Sequence, residues 1–337
     1  MDPLLTDILD QPRALSAALQ GARASTALLR ARELCRNARR ILLSGMGASY
    51  FAAYPAYLRL LAMGAPVSWV EAGELLHQAP AALREGTVLV LISQSGRSAE
   101  VVRLLEARGG AAVVGVTNDT DSPLAGGCDV CLPLSAGPEL AGVATKTLTC
   151  SLLLLDLLSA EGNGGPWPES VAAIEQALQT SGQWLPGLLS ALGTTEHVWV
   201  LGRGPLLAAA SVGGLMLKEA GGVHGEGLSA PQFRHGPLEM AGPGRSALVL
   251  VSPGRLGALD LDLAGEMAAT GMGVAAVCPA GAPSEVPAGV HALRWSDCPP
   301  EPAAVIVAAQ CLAHACALRQ HREPGTFSRI GKVTTRE

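Results

Sequence analysis

Two carboxylates, two imidazoles and an ammonium group crowd into one short stretch of a chain that is otherwise poor in charge. Lys218-Glu219 stand late in a helix-forming run, His224-Gly225-Glu226 follow, and Phe233-Arg234-His235-Gly236-Pro237 complete the group. Taken singly each has a bland reading: Lys218 and Glu219 as a solvated helix end, His224 as a packed histidine, His235 as a loop residue. Together, where only 16% of residues are charged, they supply what aldose–ketose interconversion needs: one group to move a carbon-bound proton and one to open a ring.

A second constellation lies upstream. Ser93-Gln94-Ser95-Gly96-Arg97-Ser98 follows an apolar run and precedes a helix expected over Ala99 to Ala107. Three hydroxyls, a glycine that lets backbone N–H groups converge, and a helix N-terminus make a cradle for an anion. Ser49 adds a fourth hydroxyl at the end of an earlier strand. The competing reading is that Ser95 and Ser98 only cap the helix. A nucleotide site does not fit. Gly45-Met46-Gly47-Ala48-Ser49-Tyr50 lacks the third small residue of a dinucleotide fingerprint, and no Gly-Lys-Ser/Thr follows. A monophosphate is the better ligand class.

The elements that must position these groups repeat. Ile41-Leu42-Leu43 ends in Gly45-Met46-Gly47, with a helix expected over Ala48 to Met63. Val198-Trp199-Val200-Leu201 likewise ends in Gly202-Arg203-Gly204. Val88 to Ser93 is echoed by Ala247 to Ser252, and Val113 to Val116 by Val274 to Val277, with a slowly drifting offset that marks an internal duplication. The runs lack inside–outside alternation, as parallel strands covered on both faces do. Two tandem doubly wound α/β domains are therefore expected, with a seam in Glu161-Gly162-Asn163-Gly164-Gly165-Pro166. In such sheets ligands bind beyond the carboxyl ends of the strands. The second counterpart of the serine loop, Ser252-Pro253-Gly254-Arg255, has lost two hydroxyls and gained a proline. The halves are expected to have divided their labour.

A length of 337 residues, 49% of them hydrophobic, suits two cores. Aromatics are 3% and the net charge is −5, which gives nucleic acid neither stacking platforms nor a basic surface. Met1-Asp2-Pro3-Leu4 places acid where a secretory signal carries base. The apolar run Leu148 to Ala160 is interrupted by Asp156 and is too short to span a bilayer. A cytoplasmic protein without membrane or nucleic-acid partners is the expectation. The eight cysteines are scattered apart from Cys128 and Cys131, and lack the second clustered pair that tetrahedral zinc requires. No metal or organic cofactor is expected, and Cys311, His314 and Cys316 are read as helix-core filling.

In order along the chain, Gly47-Ala48-Ser49-Tyr50, Ser93-Gln94-Ser95-Gly96, Ala144-Thr145-Lys146-Thr147, Leu217-Lys218-Glu219, His224-Gly225-Glu226, His235-Gly236-Pro237 and Lys332-Val333-Thr334 resemble the sugar isomerase (SIS) domain family. The match is to the isomerase half of glutamine–fructose-6-phosphate aminotransferases and to stand-alone fructosamine deglycases and aminosugar-phosphate deaminases. The resemblance implies flavodoxin-like domains and a phosphate site of Ser49, Ser93, Gln94, Ser95 and Ser98. It implies Glu219 as the proton shuttle between the first two sugar carbons and His235 as the ring-opening residue, supplied to a partner subunit in a homodimer with shared active sites. Lys332 in the C-terminal tail would meet the open-chain carbonyl, and Gly47, Ala48, Gly142 and Lys218 would line the substrate.

The implied domains are a helical extension over 1–29, a first SIS domain over 30–162, a linking helix over 163–183, a second SIS domain over 184–323 and a closing tail over 324–337. Two departures from the aminotransferases stand out. Met1-Asp2-Pro3 leads directly into the first half, where the glutaminase domain would begin with a nucleophilic cysteine. Val212 and Met216 share a helix face with Glu219 where those enzymes carry polar groups. Both point to isomerisation, deamination or deglycation of a hexose- or aminohexose-6-phosphate. The alternative is a non-catalytic sugar-phosphate-sensing regulator.

Overall fold

The computed structural model describes residues 1–194 and 197–336. The chain divides into two compact units: residues 13–167 with 327–337, and residues 1–12 with 168–326. Each holds one five-stranded sheet in which every pairing is parallel.

In the amino-terminal sheet unit the strands are β1 (Arg40–Gly45), β2 (Val67–Trp69), β3 (Thr87–Ile92), β4 (Ala112–Thr117) and β5 (Val130–Pro133), arranged β2-β1-β3-β4-β5. The carboxyl-terminal unit holds β6 (His197–Gly202), β7 (His224–Ser229), β8 (Ser246–Leu250), β9 (Gly273–Cys278) and β10 (Val290–Arg294), arranged β10-β9-β8-β6-β7. Read from the other edge, the second order is the first one again. The duplication seen in the offsets is thus a duplication of topology, in the doubly wound, flavodoxin-like order. Strand order reverses between β1 and β3 in one sheet and between β6 and β8 in the other.

β3 is buried at every position, and β1, β4, β6 and β9 at all but the first. Helices on both faces exclude water, which is why these runs are apolar without alternation. The run Leu148 to Ala160 forms most of the helix Lys146–Ser159, buried everywhere except Asp156. A helix apolar all round belongs inside a core. Asp156 accepts from the Trp167 indole and the Gly165 N–H, both at 2.7 Å, so the interruption of the run is a capped polar group. The helix expected over Ala48 to Met63 is two helices, Gly47–Ala52 and Tyr54–Ala62, meeting at Ala53. Pro55 has no N–H for the turn that would join them.

The first helix, Pro3–Leu9, belongs to the carboxyl-terminal unit. Asp2 meets His314 at 3.0 Å, and Gln11 and Gln310 exchange buried amide hydrogen bonds of 2.8 and 3.1 Å. By length and composition Pro302–Arg319 is apolar enough to cross a membrane, yet 78% of it is buried within its unit, the signature of a core helix. All eight cysteines are free thiols.

The tightest packing in the carboxyl-terminal unit is backbone on backbone. A Cβ on Gly227 would lie 2.3 Å from the Ser211 Cα, one on Gly225 2.4 Å from the Gly214 oxygen, and one on Gly214 2.3 Å from the Gly227 nitrogen. The helix Leu206–Glu219 therefore rests directly on β7. No side chain can yield at these contacts, so Gly227→Ala must move the helix or the strand. We expect it to destabilise the chain by about 3 kcal/mol or more, measured by urea denaturation; a loss below about 1 kcal/mol would show that the contact is looser than described.

Candidate active site

The serine loop leaves β3 at the reversal of strand order and runs into the helix Ala99–Glu106. Its backbone is pinned to β4. The Ser93 N–H donates to the Val116 oxygen, and the Gln94 oxygen accepts from the Asn118 N–H at 3.0 Å and the Thr117 hydroxyl at 3.2 Å. Gly96 takes φ +62°, and a Cβ there would sit 2.1 Å from the Ser122 hydroxyl. Only glycine lets this turn close. The Ser93 hydroxyl accepts from the Gly96 N–H at 3.1 Å and lies 3.5 Å from that of Ser98. Ser98 occupies the N-cap position but makes no side-chain capping bond. The capping reading therefore fails for Ser98, whose hydroxyl has that of Ser93 as its neighbour instead. Ser95 accepts from the Arg97 N–H at 3.2 Å.

Gly47, Ala48 and Ser49 form the start of the short helix after β1, the other side of the reversal. Gly47 has φ +51°, and a Cβ on Gly45 would touch the Ile92 carbonyl at 2.8 Å. The ends of β1 and β3 thus approach closely, which brings the two hydroxyl-bearing turns into one region of the sheet edge.

The C-terminal tail returns to this same unit. Thr334 accepts from the Ala99 N–H, the first of the helix beyond the serine loop, at 3.1 Å. Phe327 lies over Gly142, where a Cβ would be 2.8 Å from its ring. The Lys332 ammonium donates to the Glu139 backbone oxygen. Glu139 is an organising residue that the sequence reading missed. Its carboxylate accepts from the Thr145 and Thr147 N–H groups at 2.9 and 3.1 Å, and from their hydroxyls at 3.2 and 2.6 Å. An acid a few residues before a Thr-Lys-Thr helix start was the available signal, since such a carboxylate satisfies unpaired helix N–H groups.

Lys218, Glu219 and His235 belong to the other unit. Glu219 ends the helix Leu206–Glu219, below the buried Val212 and Met216. Lys218 is exposed and Glu219 half-buried. Burial pushes the Glu219 carboxyl up to about 7, with Lys218 opposing weakly. Desolvation outweighs the neighbouring charge because an exposed ammonium is screened by water while the carboxylate has lost much of its own. His235 is exposed at the C-cap of the helix Ala230–Arg234.

The counterpart of the serine loop, after β8, is filled from within. The fully buried Asp260 carboxylate accepts from the Ser252 N–H at 3.0 Å and from Arg203, which follows β6, at 2.9 Å. A carboxylate of the chain here occupies the strand-order reversal whose counterpart in the other sheet carries the serine loop. Arg203 and Asp260 were also missed, because nothing local marks a pairing across 57 positions.

Residues 34–160 match the family model described as SIS domain. The glutamine–fructose-6-phosphate aminotransferase [isomerizing] of Aeropyrum pernix is 32% identical over 364 aligned positions, covering 99% of this chain and 57% of that protein. The one from Pyrococcus horikoshii is 30% identical over 266 positions, 75% of this chain and 44% of that protein. The chain spans about half the length of the curated relatives it matches. Among solved structures, the tagatose-6-phosphate ketose/aldose isomerase from Escherichia coli superposes with a TM-score of 0.82 at 20% identity, covering 96% of this chain and 95% of that one. The C-terminal domain of glucosamine-fructose-6-phosphate aminotransferase from Francisella tularensis does so with a TM-score of 0.79 at 22% identity, covering 97% and 98%. These likenesses establish the fold. The segment 34–160 is a SIS domain.

Proposed function

We propose that the chain is a phosphosugar isomerase-type enzyme that acts on a hexose- or aminohexose-6-phosphate, moving a proton between its first two carbons and releasing an amine where the substrate carries one. The observation that carries this reading is Glu219, a half-buried carboxyl held at about 7 at the end of an apolar helix. A group that must take a carbon-bound proton and return it works best when both of its forms are populated at the working pH.

The other roles follow from what each group can do. Ser49, Ser93, Gln94, Ser95 and Ser98 bind the phosphate through hydroxyls and backbone N–H groups, with Gly47 and Ala48 leaving room for backbone approach. His235 protonates and deprotonates the ring oxygen as the sugar opens. Lys332 meets the carbonyl, and Gly142 and Lys218 line the substrate. The electron sink is the carbonyl, or an iminium formed with the substrate amine or with Lys332, so proton transfer needs no further group. The exposed position of His235 supports its use by a partner chain, and we infer a homodimer with shared sites, in the cytoplasm.

Phosphorylated hexoses, hexosamines and fructosyl-amino acids assayed for isomerisation and for amine release identify the substrate. On it, Glu219→Gln is expected to lower turnover by roughly 10² to 10⁴ with binding nearly intact, and near-parental turnover sinks the proposal. The activity of the parent should rise with pH through a limb near the Glu219 value of about 7. Stability should move the other way. Between 4.5 and about 7 the folded chain retains a proton that the unfolded chain has released, so stability falls as pH rises across that window. Glu219→Gln removes that loss and should be the more stable protein at pH 8, by up to roughly 3 kcal/mol. Equal stability of both proteins at pH 8 would mean that Glu219 is hydrated.

Ser95→Ala is expected to weaken binding of the phosphorylated sugar by roughly 1.5 to 3 kcal/mol, and unphosphorylated sugar hardly at all; equal effects on both ligands would remove the loop from the phosphate site. Mixed after subunit exchange, inactive His235→Ala and inactive Glu219→Gln chains should regain activity, because one site of each heterodimer is intact. No recovery in a verified heterodimer would place His235 and Glu219 of the same chain in one site.

A further inference from the structure

At the amino ends of two strands, far along the sheet from the loops at their carboxyl ends, two imidazoles and a carboxylate converge. β6 and β7 pair with His197 opposite His224 and Trp199 opposite Glu226. Gly225 and Gly227 are pressed against the helix Leu206–Glu219, so His224 and Glu226 project from the opposite face of β7, the face that carries His197 and Trp199. The two imidazole rings stand 4.3 Å apart. One nitrogen of each histidine and one Glu226 oxygen all lie within 4.8 Å of one another.

We propose that His197, His224 and Glu226 form a binding site for a divalent first-row transition cation, with Zn²⁺ as the test case. Two imidazoles and one carboxylate are a donor set that such cations favour, and three protein ligands leave one position for water. Metal bonds of about 2.0 to 2.2 Å bring tetrahedral ligand atoms to roughly 3.4 Å from each other. His224 and Glu226 are both exposed, which leaves their side chains room to turn toward a cation. Support behind the ligands is already in place. The Trp199 indole N–H donates to one Glu226 oxygen at 3.0 Å, orienting the carboxylate while leaving lone pairs for a cation. β7 is the edge strand of its sheet, and a bound cation would tie that edge to β6.

The site lies within one unit and uses none of the groups assigned to sugar chemistry, so its test is independent of the proposed activity. The untagged chain, freed of metal by chelator, is titrated with Zn²⁺ by calorimetry and with Co²⁺ by visible absorption. One equivalent should bind with a dissociation constant on the order of micromolar. His224→Ala and Glu226→Gln should each weaken binding by about tenfold or more, while Glu219→Gln leaves it unchanged. Bound Co²⁺ should show d–d bands without thiolate charge transfer, which separates this site from the free cysteines. His224→Gln replaces His224→Ala if the latter fails to fold. Absence of binding by the folded parent, binding that survives the histidine and glutamate substitutions, or a thiolate band would each overturn the assignment.

Discussion

Three glycines hold a helix and a strand of the carboxyl-terminal unit in direct backbone contact. Gly214 on the helix and Gly225 and Gly227 on β7 let two backbones touch where any Cβ would collide with a carbonyl, an amide nitrogen or a Cα. This contact sets the depth at which the helix Leu206–Glu219 lies, and so how far its final carboxylate is withdrawn from water. It also decides which face of β7 carries side chains. With glycine at alternate positions against the helix, His224 and Glu226 are left to gather on the other side beside Trp199. One packing constraint therefore tunes the proposed proton carrier at one end of the helix and gathers the groups proposed to bind a cation across the strand.

The two sheets show how a duplicated fold acquires different sites. Both reverse strand order at the same place, where the topology opens a crevice. In the amino-terminal unit that crevice is lined by hydroxyls whose loop is anchored to β4 through its backbone, and the Ser98 side chain takes no part in capping the helix that follows. In the other, Asp260 is buried with Arg203 and the Ser252 N–H. A buried carboxylate with both partners satisfied is stable where a lone one is not, and it forecloses anion binding by the same groups. One half keeps the hydroxyls proposed to hold an external anion, and the other carries the titratable groups proposed to act on the sugar.

Charge is scarce in this protein and its effect depends on water. Glu219 has a cation as its sequence neighbour, yet its carboxyl is pushed upward because burial acts on it alone. Glu139 shows the opposite use of a carboxylate. Four donors from Thr145 and Thr147 converge on it, and it fastens the start of a helix that is buried at every position but Asp156. The tail then rests on that anchor through Lys332.

Much of this was legible in the amino-acid sequence. Unalternating apolar runs located the parallel strands, since a strand covered on both faces has no polar side to display. A drifting offset between matching runs revealed two copies of one topology, and the Ser93 to Ser98 loop could be placed where such sheets bind anions. These features are local or repeat along the chain. What only the tertiary structure decided depends on atoms distant in sequence: the filling of the second loop by Asp260 and Arg203, the Glu139 anchor under the tail, and the meeting of His197 with Glu226. The break of one expected helix at Ala53 had a local cause in Pro55, but its place was set by packing. For Glu219 the sequence presented two opposed influences, a neighbouring cation and an apolar helix. Only the folded chain settled the balance, because desolvation is a property of everything packed around a group and not of the residues beside it in the chain.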